Sequence, residues 1–133
     1  MSKPLKHKLA LVTGSSRGIG AAVAIRLGAE GASVIVNYST SPARAEKVVK
    51  EIRDASGSAE AVGADLSTIE GTNKLIASID KAFGGSFGGR LDILVNNAAT
   101  SPHFGPILDA DLAAWDKTIE VNVIGAFNLI NLV

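Results

Sequence analysis

The chain has 133 residues, enough for one domain around one core. Thirteen basic residues balance thirteen acidic ones, which leaves no electrostatic footprint for nucleic acid or an anionic membrane. Without cysteine there is neither a disulfide framework nor a thiolate metal site, and the composition fits a reducing cytoplasm. No apolar run approaches the roughly 20 residues of a membrane span. Lys3, Lys6 and Lys8 form a basic, solvated start. The apolar run after them is too short for a signal peptide.

Short apolar runs alternate with helical patterns. Leu9 to Val12 reads as a first strand. Ile19, Ala22, Val23 and Leu27 then recur at helical spacing, with Gly31 as the stop. Ala32 to Val36 is a β-branched second strand. Ser41 before Pro42 reads as an N-cap with proline at the first helical position. Ala45, Val48, Val49 and Ile52 form that helix's apolar stripe, and Gly57 lies beyond it. Ala59 to Val62 is a weaker third strand. Ser67-Thr68-Ile69-Glu70 matches a capping box, before a helix that buries Leu75, Ile76, Ile79 and Phe83. The glycine-rich run from Gly84 to Gly89 reads as a flexible turn, with no domain boundary.

Leu91 to Val95 is the fourth strand, and Asp109 is the expected cap of the next helical segment. The last helix, from about Trp115, is apolar on two sides. Ile119, Val123, Phe127 and Ile130 mark one face, and Val121, Ile124 and Leu132 lie off it. Such a helix needs burial on both sides. One side can meet the sheet, and the other requires more chain or another subunit.

This alternation predicts an α/β fold. It would be a Rossmann-type, doubly wound parallel sheet ending after about four strands and the helix after the fourth, with residues 1–133 forming one domain. The hydrophobic share of 47% agrees, because strands covered on both faces are continuously apolar.

The chemistry gathers at the strand ends. Thr13-Gly14-Ser15-Ser16-Arg17-Gly18-Ile19-Gly20 opens the first helix. Gly14 permits a tight turn, Gly18 lets backbone approach a pyrophosphate, and Gly20 allows close helix packing. The helix start near Ile19 aims free N–H groups and a positive dipole end at phosphate. No Gly-Lys-Ser/Thr comes after it, so the turn is not a P-loop. A carboxylate at the end of the second strand would hydrogen-bond the adenosine ribose of NAD and repel a 2′-phosphate. Here Asn37-Tyr38-Ser39-Thr40 holds none, and Arg17 lies nearby with a fork suited to phosphate. NADP(H) is therefore expected over NAD(H), which stays possible. Asp65-Leu66 follows the third strand, where a carboxylate can accept from an adenine amino group or simply precede the Ser67 cap. Asn96-Asn97-Ala98-Ala99 follows the fourth, where small residues admit a ribose.

Together these residues resemble the short-chain dehydrogenase/reductase family. Four features match in order: Thr13 to Gly20, Asp65-Leu66, Asn96 to Ala99, and Val121-Asn122-Val123 with Gly125. The resemblance runs from about Lys8 to Val133. It implies hydride transfer between a nicotinamide cofactor and an alcohol or carbonyl. It also implies that the glycine turn holds the pyrophosphate, Asp65 the adenine and Asn97 to Ala99 the ribose. Asn122 would belong to a catalytic tetrad with a serine, a tyrosine and a lysine. Ala99 replaces the family's usual glycine, at a cost of roughly 1 kcal/mol if that position needs φ > 0.

The only tyrosine is Tyr38, and the residue four positions on is Pro42, so these 133 residues hold no Tyr-x-x-x-Lys. The chain alone is expected to be inactive. Three readings stay open: the cofactor half of an oxidoreductase, completed by a second-half chain; a dinucleotide-binding module without chemistry; and an interaction protein. An open edge on the fourth strand predicts a homo-oligomer or another larger species. His7 in the tail and His103 in the loop after the fourth strand read as surface residues. Trp115 and Phe127 read as core or interface residues.

Overall fold

The computed structural model describes residues 3–99, 105, 109 and 111–133. His103 lies outside them. The first strand, β1 (Leu9–Val12), is wholly buried. Its residues alternate between two clusters. Ala10 and Val12 pack on one face of the sheet, and Leu9 and Leu11 on the other. This two-sided burial explains an unbroken apolar run where a half-exposed strand would alternate.

Helix α1 (Gly18–Ala29) comes next, then β2 (Ser33–Tyr38), α2 (Pro42–Asp54) and β3 (Ser58–Gly63). The buried line of α1 is Gly20, Ala24 and Gly28, not the larger residues that periodicity favoured. Ile19 is 79% exposed, Ala22 is exposed, and Val23 and Leu27 are half-buried. The reason is close approach: a Cβ at Gly28 would meet Ile52 Cγ2 of α2 at 2.7 Å. In α2 the expected stripe of Ala45, Val48, Val49 and Ile52 is buried, and Ser41 caps the helix with Pro42 in its first turn.

Helix α3 (Ile69–Lys81) starts one residue later than its capping-box pattern indicates. Thr68, not Ser67, is the N-cap, and its hydroxyl accepts from the Gly71 N–H at 3.0 Å. Ser67 is diverted because its hydroxyl donates to Asp65 Oδ1 at 2.7 Å. Leu75 and Ile79 are buried, whereas Ile76 and Phe83 are half-buried. Phe83 has left α3 for a short 3₁₀ turn, where it adopts φ 53°. Its N–H is held by Glu60 Oε1 at 3.1 Å. Phe83 packs edge-on against Phe87, with ring centroids 5.9 Å apart. The glycine-rich run is thus anchored at its start.

Strand β4 (Ile93–Val95) pairs with β1. All four strands are parallel, in the order β3-β2-β1-β4. This is the Rossmann-type α/β arrangement. Helices α1 and α2 cover one face; α3 and the last helix cover the other.

The final segment is not one continuous helix. It consists of α4 (Leu112–Ile119), a π-helical stretch over Glu120–Gly125, and α5 (Ala126–Leu132). Its cap is Asp111, which accepts from the Ala114 N–H at 2.7 Å, and not Asp109 two residues earlier. Either aspartate suits a cap by type; the helix starts at Leu112 and takes the nearer one. The wider π turn shifts the helical phase of α5. Leu129 therefore plugs into the core, while Ile119, Val123, Phe127 and Ile130 stay 42–63% exposed. Gly125 seats this segment, because a Cβ there would meet Leu66 O at 2.5 Å.

At the amino end of the sheet, Asp92 Oδ2 accepts from the Leu9 N–H at 2.8 Å, and Arg90 pairs with the same carboxylate at 3.0 Å. The Leu9 N–H first, then Arg90, holds the Asp92 carboxyl below its ordinary range. Asp92 thus stays charged further into acid in the folded chain than in the unfolded one. Its contribution is fully present above the unfolded value of about 3.9 and is lost as pH falls through the lower folded value. Thermal melts from pH 7 to pH 2 are expected to show Asp92→Asn less stable than the parent at neutral pH. The two curves should converge at the acid end.

Candidate functional site

The carboxyl ends of all four strands open on one cleft of ≈ 590 Å³. Gly14, Ser16, Arg17, Gly18 and Ile19 line it from the turn after β1, Asn37 and Ser39 from the end of β2. Asp65 and Leu66 contribute from the loop after β3, and Asn97, Ala98 and Ala99 from the loop after β4. Open α/β sheets bind ligands at this edge, where β1 and β4 diverge to opposite sides.

A buried hydrogen-bond knot shapes the turn. Gly14 adopts φ 60°, and its N–H donates to Asn37 Oδ1 at 3.0 Å. A Cβ at Gly14 would meet Ala98 Cα at 2.9 Å, so the turn lies against the loop after β4. The Ser15 N–H donates to the Asn37 carbonyl at 2.9 Å, and the Asn37 N–H donates to Ser15 Oγ at 3.1 Å. Asn37 is 2% exposed, and its Nδ2 donates to Val62 O at 3.2 Å and Ala64 O at 3.5 Å. On the other side, Thr13 Oγ1 accepts from the N–H groups of Asn97 and Ala98 at 3.0 and 2.9 Å. Asn97 Nδ2 donates to the carbonyls of Thr13 and Gly14 at 3.1 and 3.0 Å.

The amides of Asn37 and Asn97 are therefore engaged in building the turn, although both residues line the cleft. Gly20 does not line it. A Cβ there would strike Asn97 Nδ2 and the Gly14 carbonyl, so its bareness lets α1 start directly behind the turn. Tyr38 also lies elsewhere, its ring lying against Gly63 of β3. Strand alternation sends it to the opposite side from Asn37. Ala99 is absent from the positive-φ residues, so alanine carries no left-handed strain there.

The remaining cleft chemistry is polar and mostly cationic. Arg17 is the N-cap residue of α1 and makes no side-chain cap bond, so the first N–H groups of α1 carry no side-chain partner there. No atom lies within 4 Å of where a Cβ at Gly18 would stand, which leaves that helix start open to a ligand. Asp65 Oδ1 accepts from the Ser67 hydroxyl and the Ser67 N–H, at 2.7 and 2.9 Å. These two bonds, chiefly the hydroxyl, hold its carboxyl below the ordinary range; partial burial opposes them and the Lys117 charge assists. Oδ2 of Asp65 accepts no bond from the described residues, which leaves it free for an amino group.

Thr40, Ser41, Arg44, Ala64, Lys117 and Val121 also line the cleft and were not among the site residues expected from sequence. For Arg44 a signal existed: the first turn of α2 starts at the same sheet edge as the end of β2. For Lys117 there was none, since only the packing of α4 brings it in, and Val121 was marked only as part of the Val121-Asn122-Val123 feature. Asn122 is exposed within the π-helical stretch and is not among the lining residues, whereas its neighbour Val121 is. Among the described residues no cluster of His, Cys, Asp or Glu suits a metal, and no helix is long and apolar enough to cross a membrane.

A parallel 3-2-1-4 sheet, a glycine turn running into α1 and a cleft at the strand ends define a Rossmann-type α/β protein. The family model described as "short chain dehydrogenase" matches residues 8–133, and the chain belongs to that family. It is 43% identical to versicolorin reductase 1 of Aspergillus parasiticus, over 92% of this chain and 45% of that protein. It is 39% identical to glucose 1-dehydrogenase 2 of Bacillus subtilis, over 96% of this chain and 47% of that one. Among solved structures, it superposes on the landomycin C-6 ketoreductase LanV with bound NADP and rabelomycin at a TM-score of 0.92 and 35% identity. That match covers 98% of this chain and 53% of LanV. The chain thus spans about half the length of the curated relatives it matches.

The knot makes a direct prediction. Asn37→Ala strands the Gly14 N–H and the carbonyls of Val62 in β3 and Ala64 just after it, and is expected to cost about 1–3 kcal/mol in urea unfolding. Asn37→Asp keeps the acceptor for Gly14 but faces a carboxylate onto those carbonyls. Its midpoint should lie below the parent's at pH 8 and recover as pH falls, once the introduced group is protonated and donates.

Proposed function

We propose that this chain is the NADP(H)-binding portion of an oxidoreductase that moves hydride between a nicotinamide cofactor and an alcohol or carbonyl. One observation carries the cofactor choice. Arg17, from the turn after β1, and Ser39, just past the end of β2, line the same cleft, and the one carboxylate among the described lining residues, Asp65, lies on the loop after β3. A 2′-phosphate would meet a guanidinium there and no repelling carboxylate. NAD(H) lacks that phosphate and is the weaker expected ligand. LanV, a structural neighbour, was solved with NADP.

The residues fit the group in detail. The N–H groups at the start of α1, opened by Gly18, would hold the pyrophosphate, and Arg17 would hold the 2′-phosphate. Asp65 Oδ2 would accept from the adenine amino group, and Leu66 beside it would offer the ring an apolar surface. Asn97, Ala98 and Ala99 admit the nicotinamide ribose. When bound, the dinucleotide supplies the hydride donor or acceptor. Asn122 is the member of the family's catalytic tetrad in these 133 residues, and the partnering serine, tyrosine and lysine are not among them. The chain alone is expected to bind cofactor without turnover, in a reducing cytoplasm.

The test is a calorimetric titration of the folded chain with NADPH and NADH. NADPH should bind more tightly. Arg17→Ala should weaken NADPH by about 10–100-fold, the worth of a charged hydrogen-bonding pair, and leave NADH within about twofold. Equal affinities, or no effect of the substitution, would refute the preference.

A second reading has its own support. Trp115, Ile119, Val123, Phe127 and Ile130 are 42–63% exposed, and β4 is an edge strand. As a non-catalytic binding or interaction module, the chain would bury these against a second copy or a complementing chain. Light scattering after size exclusion is expected to give a dimer or a larger species; a monomer at all concentrations would contradict this.

A further inference from the structure

The rim of the cleft holds a second guanidinium. Arg44 lies in the first turn of α2, and its backbone N–H is tied to Ser41 Oγ at 3.4 Å. Its side chain is exposed and lines the same cleft as that of Arg17. One arginine comes from the start of α1 and the other from the start of α2. Ser39, Thr40 and Ser41 line the cleft on the connection from β2 to α2.

Among the described residues neither arginine has an ion-pair partner. The ion pairs among the described residues are Arg26–Glu30, Lys50–Asp54 and Arg90–Asp92. No hydrogen bond joins either guanidinium to another described side chain. The third cation of the cleft, Lys117, is drawn to Asp65, whose carboxyl it helps to keep ionised. The helix starts of α1 and α2 and the connection before α2 therefore bring two positive forks and three hydroxyl side chains to the cleft, with no carboxylate among the described lining residues of those segments.

We propose that Arg44 is a second determinant of cofactor choice, closing with Arg17 on the phosphomonoester of the adenosine ribose as a two-armed clamp. The inference rests on the NADP(H) reading above. A phosphomonoester carries about −1.5 to −2 charges at neutral pH and three terminal oxygens. Two planar forks can each offer parallel N–H groups to such an ion, and the positive end of α2 adds to the attraction. A single arginine leaves an oxygen and part of the charge uncompensated. The two helix starts thereby divide the work, with α1 serving the pyrophosphate and α2 the ribose phosphate.

Calorimetry on the full chain tests this with three probes: NADPH, NADH and 2′,5′-ADP, which carries the phosphomonoester without the nicotinamide. Arg44→Ala should weaken NADPH and 2′,5′-ADP about tenfold and leave NADH within about twofold. Arg44→Lys keeps the charge and the helix but lacks the fork, and should recover only part of the loss. It also keeps the test decisive if the alanine variant folds poorly. In the Arg17→Ala background the Arg44 effect should shrink, since the two arms share one ion. Should Arg17→Ala weaken NADPH while both Arg44 variants bind like the parent, Arg44 is excluded and the cofactor reading survives. Parent affinities that are equal for NADPH and NADH would instead remove the reading and the clamp together.

Discussion

A left-handed turn at Gly14, pinned by the side chain of Asn37, is the constraint on which the site depends. The turn reverses the chain at the end of β1 and aims α1 at the cleft. Gly14 satisfies the backbone angle, but its N–H must also find a buried acceptor, and Asn37 Oδ1 supplies it. The same amide donates into β3, so one side chain joins β1, β2 and β3. Thr13 and Asn97 repeat the arrangement toward β4. Every buried side-chain polar atom among the described residues finds a partner. Such a network is worth little per bond but costly to half-remove, which makes it a rigid frame.

That frame positions groups that never touch it. The close seat of α1 needs the small line of Gly20, Ala24 and Gly28. On the other face, Gly125 lets the final segment come against Leu66, and Lys117 and Val121 thereby reach the cleft. The loop after β3 is thus held between the sheet and the last helices. Its aspartate is set by Ser67 and steadied by Lys117. An oriented carboxylate from the loop after β3 and two guanidiniums from the starts of α1 and α2 thus line one cleft.

Much of this was legible in the sequence because apolar runs report burial directly. The strands fall within one or two residues of their expected places, and the α2 stripe is recovered whole, since large residues carry it. The α1 line escaped because close approach selects glycine and alanine, which hydropathy barely registers. The caps of α3 and α4 slipped because neighbouring hydroxyls or carboxylates are equivalent by type, and only the Ser67–Asp65 bond decides between two of them. The last helix was misphased by its π turn, which no spacing rule anticipates. Asn37, expected from sequence as a cofactor contact, lines the cleft, but its amide serves the turn. Lys117 became visible only when the packing of α4 brought it to the cleft, whereas Arg44 could have been read from its place in the first turn of α2, after β2.

The amino end of the sheet is fastened separately. Lys3 Nζ donates to Ala29 O at 2.7 Å, the Leu5 N–H to Glu30 O at 2.9 Å, and Arg90 Nη2 to His7 O at 2.8 Å. These bonds lash residues 3–8 across the end of α1 and the entrance to β4. The cleft opens at the far end of the same strands, roughly 13 Å away along the four residues of β1. A reporter dye or a surface linker attached at Lys6 would therefore be held by a stiff strap, with the strand length between it and the ligand. The protein has one end suited to being gripped and the other to being filled.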